Sequence, residues 1–189
     1  MTFPSFVSGE VLRAADMNAV GMWLVSTTTF TNQTAVDVAN CFTTDYDNYR
    51  ILISITSSAS TNTQLNARLF NGGTTLSTGY ANFGWFVGSI GTGVFFNDNY
   101  TASSWSLNQL GGNTPPAVTS LDIYGPRQAV RKQIVFQSFA TYNSSGIETR
   151  LQINGANSVS NADLWPSFRL QNGAVANMSG TIRVYGYRN

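Results

Sequence analysis

Tyr49-Arg50-Ile51-Leu52-Ile53-Ser54-Ile55-Thr56 decides the fold class of this chain. Ile51, Ile53 and Ile55 recur at every second residue, and a period of two places them on one face of a β-strand. β-Branched isoleucine also packs well on a pleated, half-buried surface. Working outward, residues 64–70 alternate through Leu65, Ala67 and Leu69 and then meet the turn signal Asn71-Gly72-Gly73. Residues 117–124 alternate through Leu121 and Ile123. Residues 132–140 put Ile134, Phe136 and Ser138 on one face and Val135, Gln137 and Phe139 on the other. The stretch 180–187 closes the chain with Ile182 and Val184 inward. Further strand candidates are 23–30, 34–38, 83–87, 104–110, 150–153 and 167–170.

These short strands are separated by Gly, Asn and Ser clusters, the spacing of an antiparallel β-sandwich or jelly roll. Between them lies no helical pattern long enough for a parallel crossover, so a parallel α/β sheet is excluded. The region 79–101 stands apart. Tyr80, Phe83, Trp85, Phe86, Phe95, Phe96 and Tyr100 crowd there among five glycines, which predicts one or two strands with an aromatic-rich loop.

The first 22 residues differ in period from the rest. They read as extended through Phe3-Pro4-Ser5-Phe6-Val7, turn at Ser8-Gly9, and offer a short helix over 13–20 with Gly21 as its stop. A helix that short does not hold in isolation. The segment is therefore expected to be an arm that docks on something, with Phe3, Phe6, Leu12, Met17 and Val20 as its contact residues. The alternative is that it closes one end of its own sandwich.

Composition limits the function classes. The chain has 189 residues, room for one domain plus an arm, with 42% hydrophobic and only 10% charged residues. Aromatics at 13% argue for a packed core. Net charge is +1 and Lys132 is the one lysine, so no basic footprint for nucleic acid exists. Arg127, Arg131 and Lys132 read as a solvated turn and strand start. No apolar run approaches a membrane span and no signal peptide opens the sequence, so synthesis in a cytoplasm is expected. Cys41, alone beside Val38 and Phe42, reads as a small buried hydrophobe.

The chain contains no histidine, which closes every mechanism built on a histidine base or ligand. One cysteine removes Cys-ligand zinc sites. Paired carboxylates of the glycosidase type could come from nine acids, but most lie in turn contexts. Asp45 and Asp47 in Thr44-Asp45-Tyr46-Asp47-Asn48-Tyr49 could line a calcium loop, though the glycine and distant glutamate of an EF-hand are missing. Gly88-Ser89-Ile90-Gly91-Thr92-Gly93 has no following lysine or helix and is not a phosphate loop. Tyr80, Trp85, Trp105 and Trp165 are candidates to stack on a glycan, with core packing as the competing role. The chemistry points to no enzyme, cofactor or metal.

The segment Phe6-Val7-Ser8-Gly9-Glu10-Val11-Leu12-Arg13-Ala14-Ala15-Asp16-Met17-Asn18-Ala19-Val20 resembles an opening common among virion structural proteins of tailed bacteriophages. Arg13 stands where those proteins usually have Thr. Phe42-Thr43-Thr44-Asp45-Tyr46-Asp47-Asn48-Tyr49-Arg50-Ile51 and Gly180-Thr181-Ile182-Arg183-Val184-Tyr185-Gly186-Tyr187 are similar to them too. The resemblance implies a tail-fibre, minor-tail or head-decoration subunit located in the virion. It implies other virion proteins as partners and a homo-oligomer, a trimer in preference. A receptor-binding module for a host surface glycan is the alternative.

Overall fold

Alternation in the sequence becomes alternation in burial. In the strand Asn48–Ser58, Ile51, Ile53 and Ile55 are buried while Leu52 and Thr56 are exposed. In Lys132–Ser144, Ile134, Phe136 and Ser138 are buried, and Val135, Gln137 and Phe139 face out. The computed structural model describes residues 21–58, 63–88, 91–110, 117–144 and 147–187. The arm contacts Phe3, Phe6, Leu12, Met17 and Val20, and the helix expected over 13–20, lie outside the described residues.

The protein is all-β, with no helix among the described residues. In chain order the strands are β1 (Trp23–Gln33), β2 (Ala35–Val38), β3 (Asn48–Ser58), β4 (Thr63–Asn71), β5 (Thr74–Thr75), β6 (Tyr80–Gly88), β7 (Gly91–Ala102), β8 (Trp105–Leu110), β9 (Ala117–Tyr124), β10 (Lys132–Ser144), β11 (Ile147–Val159), β12 (Ser167–Asn172) and β13 (Met178–Tyr187). The large sheet runs β1-β13-β3-β9-β10-β11-β6-β7, and the small one runs β2-β12-β4-β5 with β8 beside β4. Every pairing is antiparallel.

Most of the pairing is nested. β1 pairs β13, β2 pairs β12, β3 pairs β9 and β4 pairs β8. Two hairpins, β6–β7 and β10–β11, are inserted into this plan and extend the large sheet beyond β9. The inner faces of both sheets supply one core, with Ile53, Ile123, Ile134 and Val184 from the large sheet and Leu65, Leu69, Leu107 and Leu170 from the small.

β8 crosses between the sheets by side-chain amides. Asn82 of β6 donates Nδ2 to Ser104 O at 2.9 Å and accepts at Oδ1 from Ser106 N at 2.9 Å. Asn157 of β11 accepts from Phe83 N at 2.9 Å and donates to Ser106 O at 3.2 Å. A side-chain amide carries the same donor and acceptor as a peptide unit, so these residues stand in for a ladder that neither sheet provides.

Three sequence expectations are corrected. Lys132 was expected on a solvated turn, but its side chain is fully buried. Its Nζ donates to Gln128 O at 2.7 Å and to Val130 O, so the amine fastens the turn that precedes β10. Burial disfavours its charged form and lowers its pKa. The 79–101 region holds two strands, as expected, paired as a hairpin with Gly88 opposite Gly91, but its aromatic positions lie on those strands and not on a loop. β10 and β11 pair from Lys132↔Val159 to Ser144↔Ile147, far past the expected 132–140 and 150–153. Beyond residue 153 the outward positions are Asn154, Ala156 and Ser158, which gave no apolar alternation to read.

Gly180 sits where β13 crosses β3, and a Cβ there would lie 2.2 Å from Ser54 O and 3.1 Å from the Phe30 ring. The Ser54 carbonyl is backbone inside a sheet and cannot swing aside. Gly180→Ala is expected to destabilise by about 1–3 kcal/mol, the usual cost of overpacking, while Thr181→Ala on the opposite face changes little. Thermal melts of the two variants check this. Equal melting temperatures would remove Gly180 as a point of closure.

Candidate functional site

The aromatic candidates separate by parity along β6. Tyr80 and Asn82 point inward, so Phe83, Trp85 and Val87 point out. Tyr80 is fully buried, its hydroxyl accepting from Leu69 N at 2.8 Å and donating to Leu76 O at 3.2 Å. Trp105 packs edge-on against it with ring centroids 5.4 Å apart, and its Nε1 donates to Ser158 O at 3.2 Å. Trp165 is buried too, donating to Asn161 Oδ1 at 3.1 Å. The glycan assignment of Tyr80, Trp105 and Trp165 is therefore corrected: their ring faces are spent on the core. Trp85 alone of the four faces solvent, 46% exposed beside Phe83, also 46% exposed, at 6.2 Å and a 49° tilt.

Register carries that pair into a wider surface. A single row crosses the outer face of the large sheet: Arg183 opposite Leu52, Leu52 opposite Ser120, Ser120 opposite Gln137, Gln137 opposite Asn154, and Asn154 opposite Trp85. At the usual strand spacing the row is about 24 Å long. A neighbouring row runs Ser54, Val118, Phe139, Gln152 and Val87. Between the two rows lies an open cavity of about 270 Å³ with Leu52, Val118 and Phe139 as apolar lining and Gln137 and Arg183 as polar lining.

The polar groups of this face are ordered by one another. Gln137 Nε2 donates to Asn154 Oδ1 at 3.0 Å, and Gln152 Nε2 donates to the same oxygen at 3.4 Å. A bulge between Gly84 and Trp85 shifts the β6–β7 register beside the tryptophan, the kind of irregularity that re-aims a side chain. Arg50 forks onto Asp122 at 2.8 and 2.7 Å. That contact raises the Arg50 pKa and leaves the pair without spare charge. Arg183 is exposed and has no ion pair among the described residues.

Other candidates do structural work. Asp45 accepts from Thr43 Oγ1 at 3.2 Å, and Asp47 accepts from Gln128 Nε2 at 3.0 Å. The two acids hold different contacts, and no cluster of three metal-ligating side chains occurs among the described residues. Asp37 is forked by Arg169 at 2.6 and 2.8 Å.

Reading the sequence missed Asn154, Gln137, Gln152 and Arg183 as a group. The parity of each was legible, but their adjacency depends on cross-strand register. No family model matches the chain, and no curated protein and no solved structure matches it.

Cys41 is buried, and desolvation pushes its thiol up to about 12. The folded thiol thus holds its proton where the unfolded one, with an ordinary value of 9.0, has lost it. The stabilisation is complete below pH 9 and is lost as pH rises from there toward 12. Wild-type protein is expected to lose about 1 kcal/mol from this thiol by pH 10. Cys41→Val should flatten that part of the curve. Denaturant melts between pH 8 and pH 10 measure it, and parallel curves for the two proteins would contradict the assignment.

Proposed function

We propose that the chain is a structural protein of a tailed-bacteriophage particle, a tail-fibre, minor-tail or head-decoration subunit that works by docking and display. The nested strand order carries this reading. β1-β13-β3-β9 faces β2-β12-β4-β8, with first strand against last, second against next-to-last and so inward. That order fits a jelly roll with two inserted hairpins, an architecture that builds viral capsid and lectin domains. Fold alone does not assign function, so the reading rests equally on the resemblance of the arm and terminal strand to phage virion proteins. The low charge and neutral amide surface suit a subunit packed beside copies of itself, and a homotrimer is the proposed state.

A second reading, a module that recognises a host surface glycan, draws on the exposed Trp85 beside Phe83. It is compatible with a place in the particle.

Gold-labelled antibody on purified particles of the encoding phage tests the first reading directly. A label at a fixed station on the particle is expected, and unlabelled particles would refute it. A chain beginning at Trp23 should remain folded, with an unchanged thermal melt, yet fail to join particles. Unfolding of that truncated chain, or assembly at full occupancy, would refute docking through the arm. Sedimentation at tens of micromolar separates trimer from monomer.

A further inference from the structure

We propose that the outer face of the large sheet binds a linear acidic oligosaccharide laid across the strands from Trp85 to Arg183. The inference deepens the receptor reading above and rests on it only for biological purpose, since the site is argued from its own geometry.

At one end, Trp85 and Phe83 form a tilted, half-exposed platform with ring centroids 6.2 Å apart. A pyranose ring has an apolar face of C–H groups, and an aromatic face in water is its natural complement because both shed water on contact. One strand away stands Asn154, whose Oδ1 is held by Gln137 at 3.0 Å and Gln152 at 3.4 Å. Those bonds leave Asn154 Nδ2 and Gln137 Oε1 without a partner among the described residues. A sugar hydroxyl both donates and accepts, so a neutral donor beside a neutral acceptor fits it in a way that a lone charge does not.

Gln137 also lines the cavity of about 270 Å³, where Leu52, Val118 and Phe139 give a second apolar surface. Arg183 lies on its far side. A guanidinium outside any ion pair presents a planar fork to a carboxylate. One cation at one end of a row of amides selects a glycan with a carboxylate-bearing unit there, not a polyanion. Nucleic acid would need cations along the whole row. A protein interface would favour a continuous apolar centre, whereas here amides interrupt the apolar groups at Gln137, Asn154 and Gln152. The row length of about 24 Å calls for an oligosaccharide, not a single sugar.

The test is a printed array of bacterial-surface oligosaccharides containing uronic-acid, sialic-acid and neutral members, probed with the intact chain. Isothermal titration follows with each hit and with its carboxyl-reduced form. Acidic members are expected to bind about tenfold more tightly than neutral ones. Trp85→Ala should lower affinity by about tenfold or more for both forms. Arg183→Gln should cost about tenfold for the acidic form and nothing for the reduced one. Both side chains are on the outer face, so thermal melts should match wild type and confirm that any loss is local.

Three outcomes overturn the proposal: no array member bound at millimolar glycan, affinity untouched by Trp85→Ala, or a Trp85→Ala effect on self-association alone. The last would make the face a subunit contact. Because binding is read on the isolated protein, its failure leaves the particle location to be decided by the antibody label.

Discussion

The fold depends on the position of β13 between β1 and β3. Ten residues at the end of the chain bond on one side to the first strand and on the other to the third. Ile182 and Val184 enter the core from there, both fully buried. The contact joins the first and last strands, so it closes the longest loop among the described residues, and its entropic cost must be offset by what it buries. The close approach at Gly180 serves the same junction, since any side chain would strike the Ser54 carbonyl. Without β13, β1 has no partner and β3 becomes an edge.

Nested pairing with two inserted hairpins also explains why one sheet has a wide outer face. Four nested pairs alone give two four-stranded sheets. Inserting β6–β7 between β4 and β8, and β10–β11 between β9 and β12, doubles the width of one sheet only. The added strands have little opposite them except β8, and the inter-sheet bonds found there are polar: Asn82 and Asn157 to the β8 backbone, and Ser138 Oγ to Leu107 O at 2.7 Å. Buried amides of this kind are expensive if left unmet, by roughly 1–3 kcal/mol each. They therefore allow one register of hairpin against β8 and penalise its neighbours. The outward row from Arg183 to Trp85 inherits that register.

The legible part of the molecule was the part governed by apolar alternation. Ile51, Ile53 and Ile55, or Ile134 and Phe136, advertise a strand and its buried face together. Where burial is achieved by small or polar residues the signal fades. β11 was foreseen only over 150–153, because Gly155, Asn157 and Val159 form an inward face that no hydropathy pattern marks. Lys132 misled for the opposite reason: a lysine at a strand start reads as solvated, yet two carbonyls of the preceding turn hold its amine inside. Of the glycan candidates, parity alone could have parted Tyr80 from Trp85, five residues apart on one strand. It could not have brought Asn154 to the side of Trp85, because register is a property of pairs of strands.

The two faces of the large sheet differ in what they can tolerate. On the inner face each residue is fixed by neighbours at close-packed density, so a change of one methyl group is felt. On the outer face Trp85, Gln137, Asn154 and Arg183 reach solvent, and none of them belongs to the core. A sheet anchored from behind by Asn82, Asn157 and Tyr80 holds its outward side chains at fixed spacing without needing them for its own stability. Rigid elements place outward side chains more accurately than loops do. The outer row can therefore change residue by residue while β13 keeps the sheet closed.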